Sequence, residues 1–148
     1  MTDTSPFDDH ERRALIDLIV EHAWLLDHGK WHQVADLYYE DGSMIIGDKA
    51  LQGHSALLAW ADARARQTAR RTHHQCTNIR LRAHAEVEAT GTVMVVLHTC
   101  DDDAVPQIEM VGEYRDHYRR DQSGRWRFVS RHLVPLNHSP GTADPPTS

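Results

Sequence analysis

Residues 72–99 read THHQCTNIRLRAHAEVEATGTVMVVLHT, which is two extended runs with a short break between them. The first run covers Thr72 to Arg82 and the second Glu86 to Thr99, and both contain residues that strands favour, such as threonine and valine. Two further runs follow after short polar turns, Gln107 to Arg120 and Arg125 to Leu136. Four such runs in succession predict an antiparallel meander in the second half of the chain.

The first half of the chain has a helical pattern instead. Between Asp9 and His28, apolar residues recur every three or four positions, as on one face of an α-helix, and Gly29 follows as a stop. The other predicted elements are a short helix over Trp31 to Tyr39, a hairpin over Ser43 to Gly47 and Ala50 to Gly53, and a third helix over His54 to Ala69. Helices followed by strands predict an α+β fold, a cone-shaped single domain in which a curved antiparallel sheet wraps around the N-terminal helices and encloses a pocket.

Composition and charge limit the kinds of partner. A chain of 148 residues is one domain in length, and we expect residues 9–138 to fold while 1–8 and 139–148 are disordered. The formal net charge of −6, with 22 acidic and 16 basic residues, offers no basic surface for nucleic acid. No apolar run reaches the roughly 20 residues that span a bilayer, and residues 1–6 lack the features of a signal peptide. We therefore expect no membrane partner and a cytoplasmic protein.

No motif predicts a metal or cofactor site. His28 and His32 have the i, i+4 spacing of metal ligands on a helix, but Gly29 lies between them. The adjacent His73 and His74 point to opposite faces of a strand. The two cysteines do not form a Cys-x-x-Cys pair, and the chain lacks a phosphate-binding glycine loop and a dinucleotide fingerprint. We expect a reaction that needs no cofactor.

An aspartate and a histidine are the strongest candidates for chemistry. Asp27 ends the first predicted helix and His74 lies early in the first long strand, so the two could meet inside one pocket. There the carboxylate would orient an imidazole that acts as general base. The alternatives are a solvent-facing aspartate beside the helix end and a structural strand histidine. Strand alternation puts Cys76 and Asn78 on the face of His74, so Asn78 is either a pocket residue or a structural hydrogen-bonding residue.

Several stretches of the chain also carry a family pattern. They are LDHGKW at 26–31, ADLYYEDG at 35–42, THHQCTNI at 72–79, GEYRDHYRR at 112–120 and GRWRFVSR at 124–131. In this order they resemble the SnoaL-like branch of the superfamily that contains nuclear transport factor 2, ketosteroid isomerase, scytalone dehydratase, the bile-acid dehydratases and the hexachlorocyclohexane dehydrochlorinase. The resemblance covers nearly the whole expected domain and implies the cone fold. It implies no single function, because this fold hosts isomerases, lyases, cyclases, hydrolases and binding proteins.

The resemblance assigns roles to particular residues. The Asp–His dyad of the family falls on Asp27 and His74. An assisting polar group, commonly Tyr or Lys in the dehydratases and the dehydrochlorinase, falls on His22, which can donate when protonated or accept when neutral. The alternative for His22 is a histidine at the edge of the core bonded to a backbone carbonyl.

The arginine that closes the dehydrochlorinase site matches Arg131, whose guanidinium could hold a departing hydroxide, halide or enolate oxygen. By strand parity Arg131 enters the pocket only if Trp126 and Phe128 pack on the other face or a bulge intervenes. The alternative for Arg131 is a surface salt bridge.

The expected function follows from these assignments. The catalytic set is Asp27, His74, His22 and Arg131, and the expected substrate-binding residues are Trp24, Tyr39, Trp60, Asn78, His98, Met110 and Tyr114. We expect a cofactor-free lyase, a dehydratase or related β-elimination enzyme, that acts on a small cyclic apolar substrate. An isomerase or cyclase of a polyketide-like or steroid-like substrate and a non-catalytic small-molecule-binding domain are the alternatives. The family also implies a homo-oligomer, either a trimer or a dimer.

Overall fold

Two α-helices and a short 3₁₀ helix accompany a six-stranded sheet in the computed structural model, which describes residues 7–137. The elements in chain order are α1 (Asp9–Asp27), a 3₁₀ helix (Trp31–Leu37), β1 (Tyr38–Ile46), β2 (Lys49–Gln52), α2 (Gly53–Ala65), β3 (Arg71–Ala85), β4 (Glu88–Cys100), β5 (Gln107–Arg120) and β6 (Trp126–Pro135). The predicted α+β fold is therefore confirmed. The expected disordered stretches, 1–8 and 139–148, lie almost entirely outside the described residues.

The sheet is mixed rather than fully antiparallel. Its strand order is β2-β1-β6-β5-β4-β3, and β3 to β6 form the predicted antiparallel meander. At the other end, β1 pairs in parallel with β6, with Met44 beside Arg131. No tight turn joins these two strands, because most of the chain lies between them, so nothing forces them into the antiparallel arrangement of a hairpin.

Helix α1 packs its apolar face against the sheet, chiefly on β3. Asp8 caps the start of this helix, because its carboxylate accepts a hydrogen bond of 2.8 Å from the amide of Glu11, and the helix ends before Gly29, which has a φ of +71°. Its buried residues are Leu15, Leu18, Ile19, His22, Leu25 and Leu26. The end of α1 thus brings Asp27 to the sheet.

The second and third helices differ in extent from the prediction. The short helix is a 3₁₀ turn that stops at Leu37, so Tyr38 and Tyr39 belong to β1 and their side chains point to opposite faces. Helix α2 ends at Ala65, and the following residues 66–70 form a loop instead of a last helical turn. None of the helices in residues 7–137 is long and apolar enough to cross a membrane.

Two of the β-bulges change the direction in which predicted site residues face. In β3, Asn78 and Ile79 together oppose Val93, and Asn78 adopts a φ of +50°. In β6, Val129 is the extra residue, because Phe128 pairs with Tyr118 while Ser130 pairs with the preceding residue of β5. Each extra residue reverses the alternation of the strand beyond it.

Candidate functional site

A cavity of about 900 Å³ lies between the helices and the inner face of the sheet. That volume lies within the roughly 300–1,000 Å³ typical of pockets for small organic molecules. The deeper wall consists of His22, Leu26, Trp31, Met44, Trp60, Thr72, His74, Leu97, Met110, Tyr114 and Leu133, and the other lining residues are Ile46, Arg64, Arg66, Gln67, Thr68, Ala69, Arg70, Asp101 and Glu109. Most of the deeper wall is apolar, and its ionisable groups are the two histidines and the phenol of Tyr114, whose pKa burial raises.

Asp27 and His74 meet at this wall. The Asp27 Oδ1 atom is 2.6 Å from Nδ1 of His74, and the Oδ2 atom accepts a hydrogen bond of 2.8 Å from the His74 amide. The hydroxyl of Thr72 donates a further hydrogen bond of 3.0 Å to Oδ1. The carboxylate is fixed by both the backbone and the side chain of β3, and it in turn fixes the orientation of the His74 ring.

These contacts keep Asp27 ionised. Burial alone raises the pKa of Asp27, but the hydrogen bonds from the ring and amide of His74 and from Thr72 outweigh burial, so its pKa lies below the ordinary value. A carboxylate can only accept hydrogen bonds, so Nδ1 of His74 carries a hydrogen and donates it to Asp27. When the ring is neutral, Nε2 of His74 is therefore the nitrogen with the free lone pair.

His22 lies deeper than His74 and is 1% exposed. Its Nε2 atom is 3.0 Å from the hydroxyl of Tyr38, a residue of β1 that the sequence reasoning missed. Burial, with smaller contributions from the charges of Arg131 and His74, holds the pKa of His22 well below its ordinary value. Burial likewise raises the pKa of Tyr38 well above its ordinary value. Both groups are therefore neutral at neutral pH.

Arg131 lies in the core behind the cavity wall. The Val129 bulge turns it inward, and its Nε and Nη2 atoms donate hydrogen bonds of 2.8 and 2.9 Å to the carboxylate of Asp116. Its guanidinium lies 3.8 Å from the ring centroid of Tyr114 and 4.5 Å from that of Phe128. Burial by itself lowers the pKa of Arg131, but the Asp116 carboxylate more than compensates and raises it above the ordinary value. Arg131 is not part of the cavity lining, and Tyr114 is the lining residue that it supports.

Four predicted substrate-binding residues lie away from the cavity. Trp24 lies on the side of α1 opposite His22, is 47% exposed and stacks on His28 with 4.2 Å between ring centroids. Tyr39 points to the other face of β1 from Tyr38, where Arg119 covers its ring.

The other two, Asn78 and His98, are on the outer face of the sheet. Asn78 is exposed because the β3 bulge reverses the alternation that began at His74. His98 is paired across strands with the outward-facing His73 and lies within 3.4 Å of Gln75. The neighbouring Leu97, paired with His74, faces the cavity instead.

The structure therefore brings together Asp27, His74, His22, Trp60, Met110 and Tyr114 of the predicted set, in or directly behind the cavity wall. The residues that sequence reasoning missed are Thr72, Tyr38 and Asp116. Thr72 is two positions before His74, so alternation alone would have identified it. Tyr38 was missed because the short helix was predicted to run through it.

Charged residues surround another part of the cavity. Arg70 donates two hydrogen bonds of 2.6 Å to the carboxylate of Glu109, and the guanidinium of Arg64 lies 4.8 Å from the ring centroid of Trp31.

Within residues 7–137, no group of three or more histidine, cysteine, aspartate or glutamate side chains is arranged to hold a metal ion.

Comparison with known proteins gives a family and a set of similar folds. A family model described as a SnoaL-like domain matches residues 10–132. Rv3472, a protein of unknown function from Mycobacterium tuberculosis, is 25% identical, with 85% of this chain and 72% of that chain covered and a TM-score of 0.77. A candidate scytalone dehydratase from Novosphingobium aromaticivorans is 24% identical, with 92% and 89% covered and a TM-score of 0.77. ActVI-ORFA from Streptomyces coelicolor is 17% identical, with 90% and 100% covered and a TM-score of 0.80. No curated protein matches the chain.

Proposed function

We propose that this chain, which belongs to the SnoaL-like domain family, is a cofactor-independent lyase whose general base is His74. In this proposal, Nε2 of the neutral His74 ring removes a proton from a carbon next to a carbonyl group, and a hydroxide or halide leaves from the adjacent carbon. The product is the corresponding unsaturated compound. Asp27 stabilises the imidazolium that forms.

The observation that carries this proposal is the contact of 2.6 Å between Asp27 and His74 at the cavity wall. Three hydrogen bonds keep Asp27 charged and in place, so the His74 ring is held in the tautomer that a base needs. General bases contribute about 10²–10⁴-fold to reaction rates when they are positioned in this way. The mostly apolar wall favours a cyclic or aromatic substrate without a net charge near the reacting carbon.

Stabilisation of the departing or enolate oxygen is assigned to His22, with Arg131 in a supporting role. His22 is part of the cavity lining, whereas Arg131 acts through Tyr114 and through its charge, which favours neutral His22. This division modifies the expectation that both residues touch the substrate.

The test is a mass-spectrometric activity screen of the purified protein against cyclic β-hydroxy carbonyl compounds, polyketide intermediates and halogenated rings. We expect loss of water or halide from one class of compound, and at least a 100-fold lower rate for His74→Ala. The matched control is His73→Ala, because His73 is the adjacent histidine on the outer face of the same strand. Equal rates for His74→Ala and His73→Ala would refute the assignment of the base.

An isomerase or cyclase would use the same dyad, since both reactions also begin with removal of a proton from carbon. The mass of the product separates these reactions from elimination, because isomerisation and ring closure do not release a leaving group. Turnover of no compound, combined with tight binding of several, would instead identify a binding domain.

A further inference from the structure

Tyr38 and His22 form a buried pair in which His22 lines the cavity and Tyr38 does not. The His22 Nε2 atom contacts the Tyr38 hydroxyl at 3.0 Å, while Nδ1 of His22 has no hydrogen-bond partner among the residues that the structure describes. Both side chains are essentially inaccessible to solvent. One contact therefore determines where the hydrogen of a neutral His22 ring lies.

The hydroxyl of Tyr38 has one hydrogen to donate, and His22 is the acceptor that the structure places beside it. If Tyr38 donates to Nε2, the hydrogen of the imidazole must be on Nδ1. In the opposite tautomer Nε2 would donate to the phenol oxygen, and a buried O–H group would then lack an acceptor, which is costly. The first arrangement leaves one group unsatisfied, the Nδ1–H group of His22, whereas the second leaves two, the Tyr38 O–H group and the bare Nδ1 atom.

Arg131 favours the neutral state of His22. Its guanidinium and the His22 ring both pack against Tyr114 and Phe128, and the positive charge of Arg131 contributes to keeping His22 neutral. Like Nδ1 of His22, the Nη1 atom of Arg131 has no partner within residues 7–137. A neutral His22 ring carries one hydrogen, so the contact with Tyr38 decides which of its nitrogens holds that hydrogen.

We propose that Tyr38 is a positioning residue that fixes His22 as the Nδ1–H tautomer, so that a neutral N–H group at the cavity wall can donate to a carbonyl oxygen. The assignment of this oxygen to the substrate rests on the proposed function. Proton removal beside that carbonyl places negative charge on its oxygen, and a hydrogen bond to Nδ1–H stabilises this charge. His22 does not transfer a proton to the leaving group.

The tautomer is tested without substrate, by nuclear magnetic resonance of protein labelled with ¹⁵N at histidine. A protonated ring nitrogen and a bare one have well-separated ¹⁵N shifts, and the signals that His22→Gln removes belong to His22. We expect a protonated Nδ1 and a bare Nε2 in the wild type, and a shift towards the Nε2–H tautomer in Tyr38→Phe. The matched control is Tyr118→Phe, which removes another buried hydroxyl, bonded to Asp116, and should leave the His22 tautomer unchanged.

A wild-type spectrum with the hydrogen on Nε2 overturns the proposal, and this result does not require that Tyr38→Phe folds, because only His22→Gln is needed to assign the signals. An unchanged tautomer in folded Tyr38→Phe shows that Tyr38 does not set it, and also overturns the proposal. Neither result depends on whether His74 catalyses an elimination, so the proposed function stands or fails separately in the activity screen.

The carbonyl assignment is tested with two probes of the same carbon skeleton. The bicyclic ketone 1-tetralone should shift the Nδ1–H resonance of His22 downfield, whereas tetralin, which lacks the oxygen, should not. No shift at the solubility limit of the ketone, or equal shifts with both probes, would overturn the assignment.

Discussion

At the scale of single residues, the site depends on one carboxylate that satisfies several donors at once. Asp27 accepts hydrogen bonds from the Thr72 hydroxyl and from both the amide and the ring of His74. The meeting of Asp27 and His74 could be predicted from the sequence, because a helix end and a strand start each supply one partner. The hydrogen bond from the His74 amide to Asp27 could not be predicted from the sequence, since it depends on the distance between the end of α1 and the backbone of β3.

Replacing Asp27 with asparagine should lower the stability of the protein as well as the rate of the proposed reaction. An amide group offers donors where Asp27 presents acceptors, so at least one buried N–H or O–H group of β3 loses its partner. We expect the free energy of unfolding to fall by about 1–3 kcal/mol, measured by urea denaturation. The control is Asp62→Asn, which alters an exposed pair with His32 and should cost only about 0–1 kcal/mol. Equal costs for the two variants would contradict the buried network described above.

At the scale of elements, strand boundaries were easier to predict than strand faces. The predicted run Gln107 to Arg120 coincides with β5, and the other three long strands differ from their predictions by a few residues. The bulges at Asn78 and Val129 were not apparent, because an extra residue leaves the composition of a strand unchanged while reversing the side on which later residues lie. Asn78 was therefore expected near the cavity, and the orientation of Arg131 was left open.

The bulge in β3 makes a specific demand on Asn78. Its φ of +50° lies in the left-handed region, which asparagine tolerates and β-branched residues avoid. We expect Asn78→Val to destabilise the protein by about 1–2 kcal/mol and Asn78→Gly to be near neutral. Thermal or urea unfolding would measure both. Thr77→Val, at the exposed neighbouring position, should change stability by less than about 0.5 kcal/mol. A tolerated valine at position 78 would mean that the bulge lies elsewhere.

At the scale of the whole molecule, the interior contains ionisable groups that differ in how they are stabilised. Asp116 and Arg131 form a buried ion pair, whereas His22 is kept neutral. The fold and the presence of a cavity could be predicted from the order of elements and the family resemblance. The buried ion pair in the core could not be predicted, because the pairing of Asp116 with Arg131 depends on the cross-strand register of β5 and β6.

The neutral state of His22 makes the stability of the whole fold depend on pH. Its folded pKa lies below the ordinary value of 6.5, so as the pH falls the unfolded chain binds this proton before the folded protein does. The contribution of neutral His22 to the free energy of unfolding is therefore complete above pH 6.5. Below pH 6.5 this contribution decreases by up to about 1.4 kcal/mol per pH unit. Urea unfolding between pH 7 and pH 5 should show a smaller decrease for His22→Gln than for the wild type. His84→Gln, at an exposed histidine, should retain the wild-type slope.

The place of β6 between β1 and β5 determines when the protein can become functional during synthesis. The hairpin of β1 and β2 emerges early from the ribosome, but it joins the rest of the sheet only through β6. That pairing closes the longest loop between any two paired strands of the sheet, and such contacts form late because their entropy cost comes before their gain. Met44 and Leu133 then reach the cavity wall in the same event. A nascent chain that lacks residues 126–135 can contain Asp27 and His74 but has no closed cavity in which to use them.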